Sequence, residues 1–369
     1  MVAGVELRRV RLPLVAPWRW PGGTLTERDV VVVRAVGEES DGWGECAAFP
    51  TPSYSPEWVD GAWDVLRHHL VPLALGGPMA ASSLPLAAVQ GQPMAKCALE
   101  LAVLDAELRA AGVSLAARLG ATRRRVAAGV AIGLTGDLAA LLAEVAQFVA
   151  LGYRRVKLKI EPGWDVEPVR AVRSAFPDLA LQVDANGTYQ LGDADRLAAL
   201  NGAGLLCLEQ PLAADDLLGH AAWGEKWGGK RGPPLCLDES VTSAAVAATA
   251  IALGAGQVIN IKAPRVGGYL EAVRVHDVCA AHGIPVWCGG MLETGLGRHA
   301  NLALAALPNF TLPGDLSASD RFYRDDITDA VVVDPDGTIA VPDGPGTGAE
   351  LRWDVLDGAT VDRCFLAAR

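Results

Sequence analysis

Short apolar runs recur through the middle of the chain at residues 126–132, 155–160, 179–184, 205–209, 235–238, 258–262, 285–288 and 310–312. Their starts are about 25 residues apart, the length of one strand with its crossover helix and loops. Ala- and Leu-rich stretches fill the intervals. Parallel strands cannot be joined by a tight hairpin, so this rhythm commits the segment to a parallel sheet. Eight runs favour closure into a barrel over an open doubly wound sheet. No G-x-G-x-x-G opens a helix after the first run, which removes the main sign of a dinucleotide-binding open sheet.

The flanks have a different texture. Residues 5–14 and 30–36 are β-branched runs, and Gly42-Trp43-Gly44 marks a tight place before a further short strand. Residues 56–70 and 94–111 have helical spacing, the second with Leu99, Leu101, Val103, Leu104 and Leu108 on a broad apolar face. The expected fold class is therefore α/β: an α+β unit over 1–125, a barrel over 126–323, and a loop-rich tail, 324–369, returning to the first unit.

With 51% apolar and 20% charged residues, the chain can bury a large core and is not disordered. Its 43 acids against 32 bases exclude a generic nucleic-acid or anionic-membrane surface, though not an anionic substrate in a local pocket. The stretch between Glu239 and Lys262 carries no charge but holds Ala, Gly, Ser, Thr, Gln257 and Asn260. It reads as a buried helix followed by a strand, not a membrane span. Seven scattered cysteines without a C-x-x-C pair read as reduced, mostly buried thiols. The first 15 residues lack the continuous apolar region of a signal peptide, so a cytoplasmic protein is expected.

On a barrel, side chains that do chemistry sit where strands end. Those places hold Lys157-Leu-Lys159, Asp184-Ala-Asn186, Glu209-Gln-Pro, Asp238-Glu239 and Lys262, with intervals from Lys159 of 25, 25, 29 and 24 residues. Each alone has a plain structural explanation. A K-x-K pattern fits a solvated strand face, and a strand-end acid fits a helix cap. Together, three acids on consecutive strands with lysines on either side would repel and be costly to desolvate unless a cation compensates them. Three carboxylates suit Mg²⁺, a hard ion that prefers oxygen ligands. Zinc would want His or Cys at ligand spacing, which none of the six histidines offers. Crowded beside a metal and each other, the lysines are expected to have lowered pKa values, so that a neutral amine can take a proton.

The sequence resembles the N-acylamino acid (N-succinylamino acid) racemase and o-succinylbenzoate synthase family of the enolase superfamily over nearly its whole length. The resemblance rests on the stretches Tyr153-Arg-Arg-Val-Lys-Leu-Lys-Ile-Glu-Pro-Gly-Trp-Asp165, Val183-Asp-Ala-Asn186, Glu209-Gln-Pro-Leu212 and Cys236-Leu-Asp-Glu-Ser240. It continues through Asn260-Ile-Lys262, Arg265-Val-Gly-Gly268, Pro285-Val-Trp-Cys-Gly-Gly-Met-Leu-Glu-Thr-Gly-Leu-Gly-Arg298 and Leu312-Pro-Gly-Asp315. It implies a modified (β/α)7β TIM-like barrel with an α+β capping domain. Lys159 and Lys262 would be acid/bases on opposite faces, with Lys157 holding the substrate carboxylate. Asp184, Glu209 and Asp238 would bind Mg²⁺, for which Mn²⁺ or Co²⁺ could substitute, with Asn186 and Glu239 supporting them. Gly289, Gly290 and Met291 would receive the acyl group, Glu293 would shape that loop, and 16–24, with Trp18 and Trp20, would be the mobile substrate loop.

This sequence departs from the family pattern in the Trp18-Arg-Trp-Pro-Gly-Gly23 segment, at Ala131 in place of Ser, at Pro264 in place of Gly, and in a short insertion within 223–233. The implied reactions are racemisation of N-succinyl amino acids and dehydration to o-succinylbenzoate, and Arg265 leans the reading towards the racemase. A dedicated synthase of menaquinone biosynthesis is the alternative, and a degenerate carboxylate-binding barrel the non-enzyme one. A sugar-acid dehydratase would want a His on the seventh strand, where Trp287-Cys288-Gly289 stands. Dipeptide epimerases share the lysine pair but differ in their substrate loops. The partners expected are a small-molecule carboxylate and further copies of the chain in a homo-oligomer, with no nucleic acid and no membrane.

Overall fold

The computed structural model describes residues 2–227 and 232–368, so part of the expected insertion at 223–233 lies outside the described residues. The strands are β1 (Val2–Trp20), β2 (Gly23–Gly37), β3 (Gly42–Cys46), β4 (Arg125–Ala127), β5 (Gly129–Ile132), β6 (Arg155–Lys159) and β7 (Ala180–Asp184). They continue as β8 (Leu205–Glu209), β9 (Leu235–Leu237), β10 (Val258–Ile261), β11 (Val286–Cys288), β12 (Thr338–Ala340) and β13 (Thr360–Ala367). Among the described residues, β5 to β11 form one seven-stranded parallel sheet in sequence order, as crossover helices require.

Two of the expected barrel strands differ. The run 126–132 is two strands: β4 pairs antiparallel with β12 below the barrel, and only β5 enters the parallel sheet. The run 310–312 makes a single parallel bridge, Phe310 to Val286. Pro313 has no N–H to donate, which interrupts the ladder, and Gly314, where a Cβ would lie 2.5 Å from the Cys288 carbonyl, lets the backbone pass close to β11. Backbone bonds close the gap instead: Asp315 N–H donates to Cys288 O and Gly129 N–H to Leu316 O.

The second layer is a four-stranded antiparallel sheet in the order β13-β1-β2-β3. The chain's tail supplies β13, which pairs with β1 from Gly4–Ala367 to Val10–Thr360. The helix Pro93–Ala111 packs on β3 at Gly42 and Gly44, where a Cβ would meet the Ala102 and Ala98 carbonyls at 2.1 and 2.0 Å. It is buried well beyond the expected face because its other side meets the barrel at Ala263–Val266. β1 and β2 run on past the expected ends, through a register shift between Pro13 and Trp18, to a two-residue turn at Pro21-Gly22. The segment 16–24 is thus the tip of a hairpin, tied to the barrel by Leu134 N–H to Arg19 O and Val15 N–H to Phe322 O.

The uncharged stretch gives the helix Ala244–Leu253 and then β10, but the helix buries only Ala247 and Ala250. Lack of charge was not burial here, because alanine methyls expose little apolar area whichever way they face. All seven cysteines are unpaired, six of them buried. No helix among the described residues is long and apolar enough to cross a membrane.

Candidate active site

Parallel strands end together, and the side chains nearest those ends converge. Asp184 closes β7, Glu209 closes β8, and Asp238 follows β9. All three are fully buried, and each offers an oxygen within 4.8 Å of the others. Lys159 ends β6 and Lys262 follows β10, so the lysines stand on the strands that flank the acids. Lys159 donates to Asp184 at 2.6 Å and to Asn186 Oδ1 at 2.5 Å. Lys262 donates to Asp238 at 2.7 Å.

Period-2 geometry places a second layer beneath the first. Glu209 accepts from Lys157 at 2.9 Å, Gln182 at 3.1 Å and Asn260 at 2.8 Å. Trp287 fills the barrel below, with the Lys157 ammonium 4.8 Å from its ring centroid. Lys157 also pairs with Asp315 at 2.7 Å and Asp184 at 3.2 Å, so its ammonium is turned to three carboxylates of the protein itself. The turns above the strands are tight: Asn186, Gln210 and Leu292 have positive φ of 42°, 39° and 55°, rare for such residues and grouped at this mouth. Gln210 uses the turn to accept from the N–H groups of Asp238 and Ser240.

The other expected site residues fall into two groups. Trp18, Trp20, Gly290, Met291 and Glu293 line, with Lys157, Lys159, Asn186 and Lys262, a cavity of about 60 Å³. Glu293 accepts from Met291 N–H at 2.8 Å and from Asn301 at 2.9 Å, which folds the loop over the strand end. Glu239 accepts from Asn186 at 2.8 Å. Gly289 and Arg265 stand behind the cavity wall. A Cβ on Gly289 would lie 2.6 Å from Lys262 Cε and 2.3 Å from Asn260 Oδ1, so its backbone packs against the lysine stem. Arg265 pairs with Asp238 and donates to Asn260 O at 2.7 Å. Ala131 lines the cavity, and Pro264 occupies the first turn of Ala263–Val266, where its missing N–H costs nothing.

The ionisable groups of the site hold one another in their charged forms. Burial alone would lower the Lys157 ammonium, but Asp315, Glu209 and Asp184 outweigh it and the pKa is raised. Burial likewise opposes, and Tyr54, Glu239 and Glu209 overcome it, at Lys262, which is also raised. Burial works to raise Asp184, yet Lys159 and Lys157 hold it below the usual carboxylate range. Acids facing lysines with no other cation between them must stabilise the charged amine. The donor set itself, three buried carboxylates with converging oxygens and no nitrogen or sulfur among them, fits a hard divalent cation.

Several further residues of the site were given no role by the sequence, though some of them carried a signal. Gln182 and Asn260 were reachable by counting two residues back along the strand from Asp184 and Lys262. Tyr54, Phe49 and Phe322 come from turns and had none.

Fold and site together define a capped α/β barrel with a cation-fit acidic triad between two lysines. The family described as enolase C-terminal domain-like matches residues 140–355. An N-succinylamino acid racemase from Amycolatopsis sp is 56% identical over 371 residues, covering 100% of both chains. An o-succinylbenzoate synthase from Geobacillus stearothermophilus is 46% identical over 351 residues, 94% of this chain and 92% of the relative. The crystal structure of an enolase superfamily member from Listeria innocua matches with a TM-score of 0.94 at 37% identity, covering 100% of this chain and 99% of that one. The chain belongs to the enolase superfamily and, within it, to the N-succinylamino acid racemase and o-succinylbenzoate synthase family.

Proposed function

We propose that the chain takes the α-proton from an N-succinyl amino acid and returns a proton from either face, racemising it. The observation that carries this reading is the placement of Lys159 and Lys262 on the strands flanking Asp184, Glu209 and Asp238. A substrate α-carbon between the lysines presents one enantiomer's proton to each, and a racemase needs one amine to abstract while the other donates. Mg²⁺, held by Asp184, Glu209 and Asp238, would supply positive charge for the negative charge that develops on the substrate carboxylate.

Asn186 orients Lys159, and Glu239 holds Asn186. Lys157 fixes Glu209 and Asp315 from below, and Arg265 holds Asp238 from behind. Gly290 and Met291, backed by Gly289 and shaped by Glu293, and the hairpin bearing Trp18 and Trp20 enclose the acyl end and exclude water. In this reading 126–323 performs the chemistry and 1–125 forms the cap, while the tail 324–369 runs below the barrel as β12 before joining the cap as β13.

A second reading, dehydration to o-succinylbenzoate, is favoured by the relatives of that name. It needs one abstracting lysine, Lys159, with Lys262 as a stabilising cation.

The test is metal removal with both substrates. Dialysis against a chelator should abolish optical change of N-succinyl amino acids, and Mg²⁺ should restore it. Full activity with no metal left by elemental analysis would end the metal-dependent reading. Formation of o-succinylbenzoate without any racemisation would replace the first reading by the second.

A further inference from the structure

We infer that Tyr54, on a turn of the capping domain, is a positioning residue for Lys262 and acts on one face of the reaction only. The inference rests on the racemase reading and deepens it.

Lys262 Nζ donates to the Tyr54 hydroxyl at 2.9 Å and lies 4.8 Å from the ring centroid. Its other hydrogen-bond partner is Asp238, one of the three cation-fit acids. A lysine stem has four rotatable bonds, so a single anchor at the acid would leave the amine free to swing. The hydroxyl supplies a second anchor from the opposite domain.

The turn that carries Tyr54 is built to hold it there. Thr51, Pro52 and Ser53 are exposed, while Tyr54 turns beneath them into the cavity. The base is closed by a bridge from Phe49 to Trp58 and by Val59 N–H donating to Phe49 O. Glu57 ties the turn to the start of Pro93–Ala111, accepting from the N–H groups of Met94 and Ala95 at 2.8 Å. The Phe49 ring packs 5.8 Å from that of Tyr54.

Lys159 is held differently. Its partners, Asp184 and Asn186, both belong to the β7 end of the barrel, with no contribution from the cap among them. One lysine is therefore aimed by the barrel alone and the other by barrel and cap together. Removing the Tyr54 hydroxyl should impair abstraction by Lys262 and leave abstraction by Lys159 nearly intact.

The experiment is deuterium exchange at the α-carbon of each enantiomer of an N-succinyl amino acid, in D₂O with Mg²⁺, using Tyr54→Phe. The Lys159→Ala protein identifies the enantiomer that Lys262 deprotonates, since it exchanges that one alone. Tyr54→Phe should slow this enantiomer by about tenfold or more and the other by less than about twofold, the loss lying in kcat and not in KM. Asn186→Ala should show the mirror-image selectivity. Calorimetric Mg²⁺ affinity and circular dichroism serve as folding controls. Equal slowing of both enantiomers in Tyr54→Phe, or no slowing of either, overturns the inference while leaving the racemase reading in place. Absence of exchange in the unaltered protein overturns the racemase reading and the inference with it.

Discussion

The barrel mouth and the cap meet at one cavity but deliver their side chains to it in different ways. At the mouth, Lys159, Asp184, Glu209, Asp238 and Lys262 each sit at or just past a strand end, held in register by one continuous parallel ladder. From the cap, Trp20 at the end of β1, Phe49 at a bridge and Tyr54 on a turn reach in and pack ring against ring, with centroids 5.3 Å apart for Trp20–Phe49 and 5.8 Å for Phe49–Tyr54. A ladder fixes polar groups to fractions of an ångström, as proton transfer demands. Ring packing fixes shape, which is what discrimination between acyl groups demands. The polar groups of the cavity thus come mainly from the barrel and its ring-lined wall mainly from the cap, with Tyr54 the point where the cap reaches a barrel lysine.

The largest expected effect breaks the barrel side of this comparison. Lys159→Ala and Lys262→Ala should each reduce racemisation in both directions by about 10³-fold or more, the scale of a lost general acid/base. Each should still exchange the α-proton of the enantiomer facing the surviving lysine. Lys262→Arg keeps the charge without a usable base, so it should spare dehydration more than racemisation. Equal loss of both activities in that variant, with metal binding intact, would show the two lysine roles to be misassigned.

A smaller effect is expected from the cap. Trp20→Ala removes a buried ring beside the cavity and should shift the preference between N-succinyl and N-acetyl substrates by about tenfold in kcat/KM. Exchange of the α-proton should change by less than about threefold. A uniform loss across substrates would mean that the hairpin serves the chemistry and not the choice.

The smallest effect concerns the seam between the two regions. Glu45, on β3 of the cap, accepts from Thr294 and Gly297 at the start of the barrel helix Gly295–Ala305. Burial pushes its carboxyl up to about 7, and burial does the same to Glu57 and Glu100. A group whose folded pKa is raised contributes stability below its unfolded pKa and loses it as pH rises through the folded one. Thermal stability should therefore fall as pH rises from about 4.5 to about 7 and then level off. Glu45→Gln should flatten that fall by on the order of 1 kcal/mol, a few degrees in Tm. An unchanged slope in calorimetry would exclude Glu45 as a source of the pH dependence.

The barrel was legible because its signals are local and repeat. The interval from Lys159 to Lys262 places an ionisable group at the same point of five successive units, and strand periodicity fixes which face each takes. Legibility failed where the period failed. Pro313 and Gly314 reduce the eighth run to a bridge, and the break at Ala128 sends Arg125–Ala127 to a partner more than two hundred residues away. The segment 16–24 reads as loop by its Pro and Gly, yet pairing of Trp18 with Leu25 and Trp20 with Gly23 makes it a hairpin tip.

By itself, then, the sequence determined the parallel barrel, the acidic triad and the two lysines, because strand length, crossover length and side-chain alternation are properties of neighbouring residues. Only the tertiary structure decided that Tyr54 anchors Lys262, that Asp315 holds Lys157, and that Glu45 caps a barrel helix. Each of these contacts joins residues more than one hundred and fifty positions apart. No periodicity spans such a separation. Lys157 and Asp315 meet only when the barrel closes, and Tyr54 and Glu45 reach their partners only when the cap docks on it.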